Sequence, residues 1–76
     1  MQELVAHIAR SLVDKPDEVK TVENEEEGTL TIELTVSQED LGKVIGKQGR
    51  TARAMRTLLS AAADKEGRKI RLDILE

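Results

Sequence analysis

Val44-Ile45-Gly46-Lys47-Gln48-Gly49-Arg50 is the stretch on which the reading of this 76-residue chain turns. Two glycines flank two polar residues between segments of helical periodicity, so the run describes a tight corner between helices. Gly46 suits the left-handed conformation that ends a helix, and Gly49 lets a ligand backbone come close. A second helix starting at Arg50 would aim its free N–H groups and positive dipole end at the loop, which suits a phosphate. Lys47 and Arg50 add full charges. Arg53 and Arg56 continue them at three-residue steps, drifting roughly 60° per step along one side of the helix. Arg56, farthest from the loop, fits a phosphate contact or a solvated surface charge equally well. Nucleotide loops with similar glycines do not fit. A Walker A loop needs four residues between its first glycine and Gly-Lys, followed by Ser or Thr. Here three residues separate Gly42 from Gly46, and Gln48 stands where the hydroxyl belongs. The dinucleotide fingerprint needs a further glycine and a preceding strand, whereas a helix precedes this loop.

Outward from the loop, Leu41, Val44 and Ile45 form the apolar face of a short helix, with Ser37 and Asp40 spaced as a capping box. After it, a helix over residues 50–64 places Ala52, Met55, Leu59 and Ala62 toward a core. Ala54, Leu58 and Ala61 form a second strip on this helix, either a two-fold dimer contact or part of a wide core face. Leu30, Ile32, Leu34 and Val36 alternate with polar residues and read as a half-buried strand. The acidic run Glu25-Glu26-Glu27 and Gly28 form a turn before it. Val19 and Val22 fall out of strict alternation, so residues 17–25 read as a weaker strand with a bulge. Leu4, Val5, Ile8, Leu12 and Val13 recur at helical spacing over residues 3–13, and Pro16 stops the pattern. Ile70, Leu72 and Ile74 alternate as a last strand after Gly67. The order α-β-β-α-α-β describes one α+β domain over residues 1–76, a three-stranded sheet with helices packed on one face. The last two strands, joined through two helices, would be parallel if adjacent.

Composition excludes whole classes of function. Aromatic residues are absent, so there is no platform on which bases could stack. With no cysteine and one histidine, a disulfide framework, a zinc site and a Ser-His-Asp array are all out of reach. Nothing pairs a nucleophile with a base, and no cofactor or metal is expected; His7 reads as a surface residue. The net charge of −3 hides a segregation. Residues 14–40 carry ten acids against Lys15 and Lys20, while residues 41–63 hold Lys43, Lys47, Arg50, Arg53 and Arg56 and no acid. A ligand feels the local field within about 8 Å at physiological salt, so the basic segment matters more than the sum. The Glu23–Glu27 cluster reads as a solvated hairpin tip. The start of the chain lacks the basic and apolar stretches of a signal peptide, and no apolar run would span a bilayer. A complete cytoplasmic protein without membrane contact is the expectation.

With this element order, the run Asp40-Leu41-Gly42-Lys43-Val44-Ile45-Gly46-Lys47-Gln48-Gly49-Arg50-Thr51-Ala52-Arg53, followed by Arg56-Thr57-Leu58-Leu59, resembles a type II KH domain. It is most similar to the bacterial KhpA/YlqC family of small stand-alone KH proteins, from Leu4 to Leu75. The resemblance implies binding of single-stranded RNA, about four nucleotides per domain, by a GxxG clamp. Gly46, Lys47, Gln48 and Gly49 would then be the clamp, with Arg50 and Arg53 steadying phosphates and Lys43 beside them. Ile45 and Val44 would line a base groove, although their spacing with Leu41 also fits a core. Ala52 stands where many KH domains carry a larger aliphatic, which would make the groove floor shallower. The family also implies a homodimer, or a heterodimer with a KhpB-like protein. RNA chaperoning or post-transcriptional regulation is the expected role, with single-stranded DNA as an open competitor. An interaction adaptor or ribosome-associated factor with little RNA affinity is the alternative.

Overall fold

A computed structural model describes residues 1–75. Its centre is β2 (Thr29–Thr35), where period-2 alternation turns Leu30, Ile32 and Leu34 to one side, each 3% exposed or less. β1 (Lys20–Glu26) pairs antiparallel on one edge of β2, and β3 (Lys69–Ile74) pairs parallel on the other. The register sets Leu30 beside Ile70, Ile32 beside Leu72 and Leu34 beside Ile74, a row of apolar neighbours on the same face. Helices α1 (Gln2–Leu12), α2 (Leu41–Ile45) and α3 (Arg50–Lys65) contribute Val5, Ala9, Val44, Met55 and Leu59 to the core against that row. Thr29, Thr31 and Glu33, opposite Lys69, Arg71 and Asp73, occupy the other face. The α+β architecture therefore has one helical layer over a three-stranded sheet. The two-helix connection from β2 to β3 supplies the crossover that parallel neighbours require.

Several local expectations are corrected by packing. The first strand begins three residues later than the alternation suggests and contains no bulge, since Lys20 to Glu26 pair without a skip against Thr35 to Thr29. Val19 precedes the strand, buried after a 3-10 turn at Pro16–Glu18, while Val22 lies opposite Glu33 and is 56% exposed. That difference explains the broken alternation. In α1, Ala6 and Ala9 take buried places beside Val5, whereas Leu4 and Leu12 are exposed. In α3, Ala63 completes the buried row with Ala52, Met55 and Leu59, and Ala62 is only half-buried. Ser37 makes no side-chain cap bond at the start of the Gln38–Asp40 turn, so the expected capping box is absent.

The β1–β2 hairpin closes through Glu27 (φ 50°) and Gly28 (φ 81°), the two positive values that a type I′ turn demands. Glycine meets that demand freely, whereas a glutamate in the left-handed region is strained and sits beside Glu25 and Glu26. Glu27→Asn should therefore stabilise the protein by about 0.5–1 kcal/mol, raising the midpoint of thermal unfolding by about 3–6 °C in circular dichroism. An unchanged or lowered midpoint would contradict the turn strain.

Candidate nucleic-acid interface

The five residues of α2 are too few to hold a helix alone, so tertiary contacts must place it. Val44 is fully buried in the core, and Ile45 packs half-buried against the same cluster. At the other end of α2, Asp40 is 2% exposed and accepts the backbone N–H groups of Asp14 (3.3 Å) and Lys15 (3.0 Å). A carboxylate at the head of α2 thus ties it to the chain leaving α1. Sequence reasoning missed this anchor, because the partners lie 26 and 25 residues away in the chain. Lys43 is drawn into the same corner, bonded to Asp14 and 3.8 Å from Asp40 Oδ1. The Asp14 hydrogen bond holds the Lys43 ammonium above the ordinary lysine range, and Glu39, 3.1 Å from Lys15 Nζ, does the same for Lys15. Raised lysine values keep both charges through neutral and moderately alkaline pH, and the pairs weaken only as pH climbs past the ordinary lysine value.

Beyond α2 the backbone turns sharply. The Gly46 N–H donates to Gly42 O at 2.8 Å, and the Gly49 N–H closes the loop onto Gly46 O at 3.1 Å. Gly46 adopts φ 78° and ψ 171°, a region essentially reserved for glycine. A Cβ there would lie 2.2 Å from Thr51 Oγ1 and 2.9 Å from the Thr51 backbone nitrogen, so the α2–α3 corner closes only around a hydrogen atom. Gln48 (φ 58°) and Gly49 (φ 73°) then follow in the left-handed region, and nothing lies within 4 Å of a Cβ built on Gly49. Gly49 also heads α3 without a side-chain cap, and the first N–H of the helix, that of Arg50, turns back onto Lys47 O.

Around that helix end, Lys47, Gln48, Arg50 and Arg53 are exposed, and Arg50 Nη2 donates to Gln48 Oε1 at 3.2 Å. Among the described residues Lys47, Arg50 and Arg53 form no ion pair, unlike Lys43. Arg56 is placed elsewhere. Its Nε donates to Leu72 O at 3.4 Å, bridging α3 to β3 across a groove of about 320 Å³ that Ser60, Ile70 and Arg71 also line. Ala52 is 4% exposed and belongs to the core, so it forms no groove floor. Val44 likewise presents no surface to a ligand. Ala54, Leu58 and Ala61 face outward, with Leu58 at 58% exposure, which removes the wide-core reading of that strip.

A mixed sheet in this order, with a glycine-bounded corner opening onto the free end of α3, defines a KH domain. The model of the KhpA/KhpB KH domain matches residues 2–74. The RNA-binding protein KhpA of Halalkalibacterium halodurans is 54% identical over 76 residues, the full length of both chains. The proteins of that name from Clostridium perfringens and Chlamydia trachomatis are 55% and 47% identical, covering 99% and 100% of this chain and 100% and 97% of their own. The chain belongs to the KhpA/KhpB KH-domain family.

The two glycines should respond differently to a methyl group. Gly46→Ala meets backbone and should cost about 3 kcal/mol or more, while Gly49→Ala meets only the left-handed penalty of about 1–2 kcal/mol. Urea unfolding followed by circular dichroism measures both, and equal losses would contradict the close Gly46–Thr51 approach.

Proposed function

We propose that this chain binds single-stranded RNA by clamping its backbone between the GKQG loop, Gly46 to Gly49, and the N-terminus of α3. The observation that carries this reading is the start of α3, which has no side-chain cap and is ringed by Lys47, Arg50 and Arg53, cations that form no ion pair among the described residues. Phosphate oxygens suit such a place because the positive end of the helix dipole and exposed cations favour the same charge. Charge segregation supports it. The acidic hairpin tip docks at the far end of α3, where Arg68 pairs with Glu25 and the Lys69 N–H donates to Gly28 O. The 16 residues of α3 hold those carboxylates about 24 Å from the clamp. Bases would run from Ile45 toward the groove between Arg56 and β3, where polar backbone at a sheet edge can read them. On this reading the protein acts as a binding module and not as an enzyme. A role as cytoplasmic RNA chaperone or post-transcriptional regulator follows from that activity, with single-stranded DNA as the competitor to test.

The exposed strip Ala54, Leu58 and Ala61 favours a second contact, with another copy of this chain or with a KhpB-like partner. Small residues around one leucine permit close helix approach, and joining two weak clamps raises avidity through effective concentration. Its exposure equally supports an adaptor reading with little RNA affinity. Leu58→Asp should halve the mass seen by light scattering if the strip joins two copies, and a dimer persisting at unchanged size removes it from the interface.

Fluorescence anisotropy with labelled single-stranded RNA and DNA tests the clamp. The double variant Lys47→Asp/Gln48→Asp, shown to be folded by circular dichroism, should lose binding. With three or four phosphates neutralised, the wild type should bind roughly 20- to 50-fold more weakly at 200 mM than at 50 mM salt. Equal binding by the loop variant, or a flat salt response, would favour the adaptor.

A further inference from the structure

Lys43 stands in the last turn of α2, three residues before Gly46, within reach of a backbone entering the clamp. Its ammonium is nevertheless occupied. It bonds Asp14 and lies 3.8 Å from Asp40 Oδ1, whereas Lys47, Arg50 and Arg53 have no acidic partner among the described residues. The partner acid is held in place. Asp14 donates its backbone N–H to the buried Asp40, and the next residue donates a second, so the chain presenting the Asp14 carboxylate is pinned to the head of α2. The outward-facing anion therefore sits on backbone held beside Lys43, although both side chains remain exposed and must still be ordered to pair.

We propose that Asp14 withholds Lys43 from the RNA backbone and so sets an upper limit on the affinity of the clamp. This rests on the RNA-clamp reading and deepens it. Two carboxylates, Asp14 in a direct bond and Asp40 at 3.8 Å, compete with an incoming phosphate for one ammonium, and Asp14 is the nearer. While Asp14 wins, RNA is gripped by Lys47, Arg50 and Arg53 without Lys43. Asp14 acts through Lys43 and touches no RNA itself. Its side chain is 78% exposed, so neutralising it leaves the core untouched, and the backbone N–H that Asp40 accepts is retained.

Asp14→Asn removes the nearer of the two carboxylates and leaves Lys43 with only the longer contact to Asp40. Binding of a labelled single-stranded RNA should tighten by about two- to five-fold at 100 mM salt, and the log–log salt slope should steepen by about 0.7, one further phosphate contact. In a Lys43→Met background the same substitution should give no steepening, because the added contact belongs to Lys43. Folding of each variant is checked by circular dichroism. An unchanged slope in Asp14→Asn overturns the proposal, since Lys43 then either grips RNA already or never reaches it. A gain that persists undiminished in the Lys43→Met background also overturns it, the effect then being long-range repulsion by Asp14. The loop variant Lys47→Asp/Gln48→Asp, measured alongside, separates the two levels. If it loses binding while Asp14→Asn changes nothing, only this inference fails. If wild type and loop variant bind alike, or neither binds, the clamp and the proposal fail together.

Discussion

The close passage of Gly46 over Thr51 determines where everything functional in this protein lies. With no Cβ in the way, α2 can end and α3 can begin with only four residues between them, and both helices pack back onto the same sheet. Had the corner been wider, Val44 and Met55 could not both reach the core beside Ile32. The same corner leaves Gln48 and Gly49 in left-handed conformations at the head of α3, beside the exposed Lys47, Arg50 and Arg53. A structural requirement and a binding opportunity thus share one turn, and strain of this sort is tolerated because the packing on both sides over-determines it.

Electrostatics add direction to that geometry. Most of the acidic residues lie in the first half of the chain and most of the clamp's cations in the second, and folding keeps them apart along α3. The exception is the corner where Asp14, Lys15, Glu39, Asp40 and Lys43 meet. There the opposite charges are brought together, and the buried Asp40 is satisfied by two backbone donors. Removing an acceptor so placed would orphan both N–H groups, which makes the residue a fastener for α2 even though it touches no ligand.

The fold was largely legible from local patterns. Leu30, Ile32 and Leu34 announced β2 because a strand buried on one face must alternate. The order of elements followed from periodicity, and the length of the connection made β3 parallel to β2 provided the two were neighbours, which the structure shows. Less legible were positions where two residues competed for one place. Ala62 and Ala63 are both compatible with helical spacing from Leu59, and only the approach of the sheet selects Ala63. Val19 and Val22 look alike in sequence, yet the 3-10 turn after Pro16 buries one and the strand register exposes the other.

For the candidate interface the division is sharper. The GKQG loop, Arg50 and Arg53 could be singled out because glycine spacing and helical charge are local properties of the chain. Lys43, expected beside the phosphate contacts, and Arg56, open between a phosphate contact and a surface charge, are held by Asp14 and by the carbonyl of Leu72, partners 29 and 16 residues away. Val44 and Ala52 could not be separated from a groove wall until the helices were seen against the sheet. Sequence alone determined which segments are helix, strand and basic loop, because those depend on neighbours a few residues apart. Tertiary structure decided which charges are free and which apolar residues are buried, because both depend on what distant parts of the chain bring into contact.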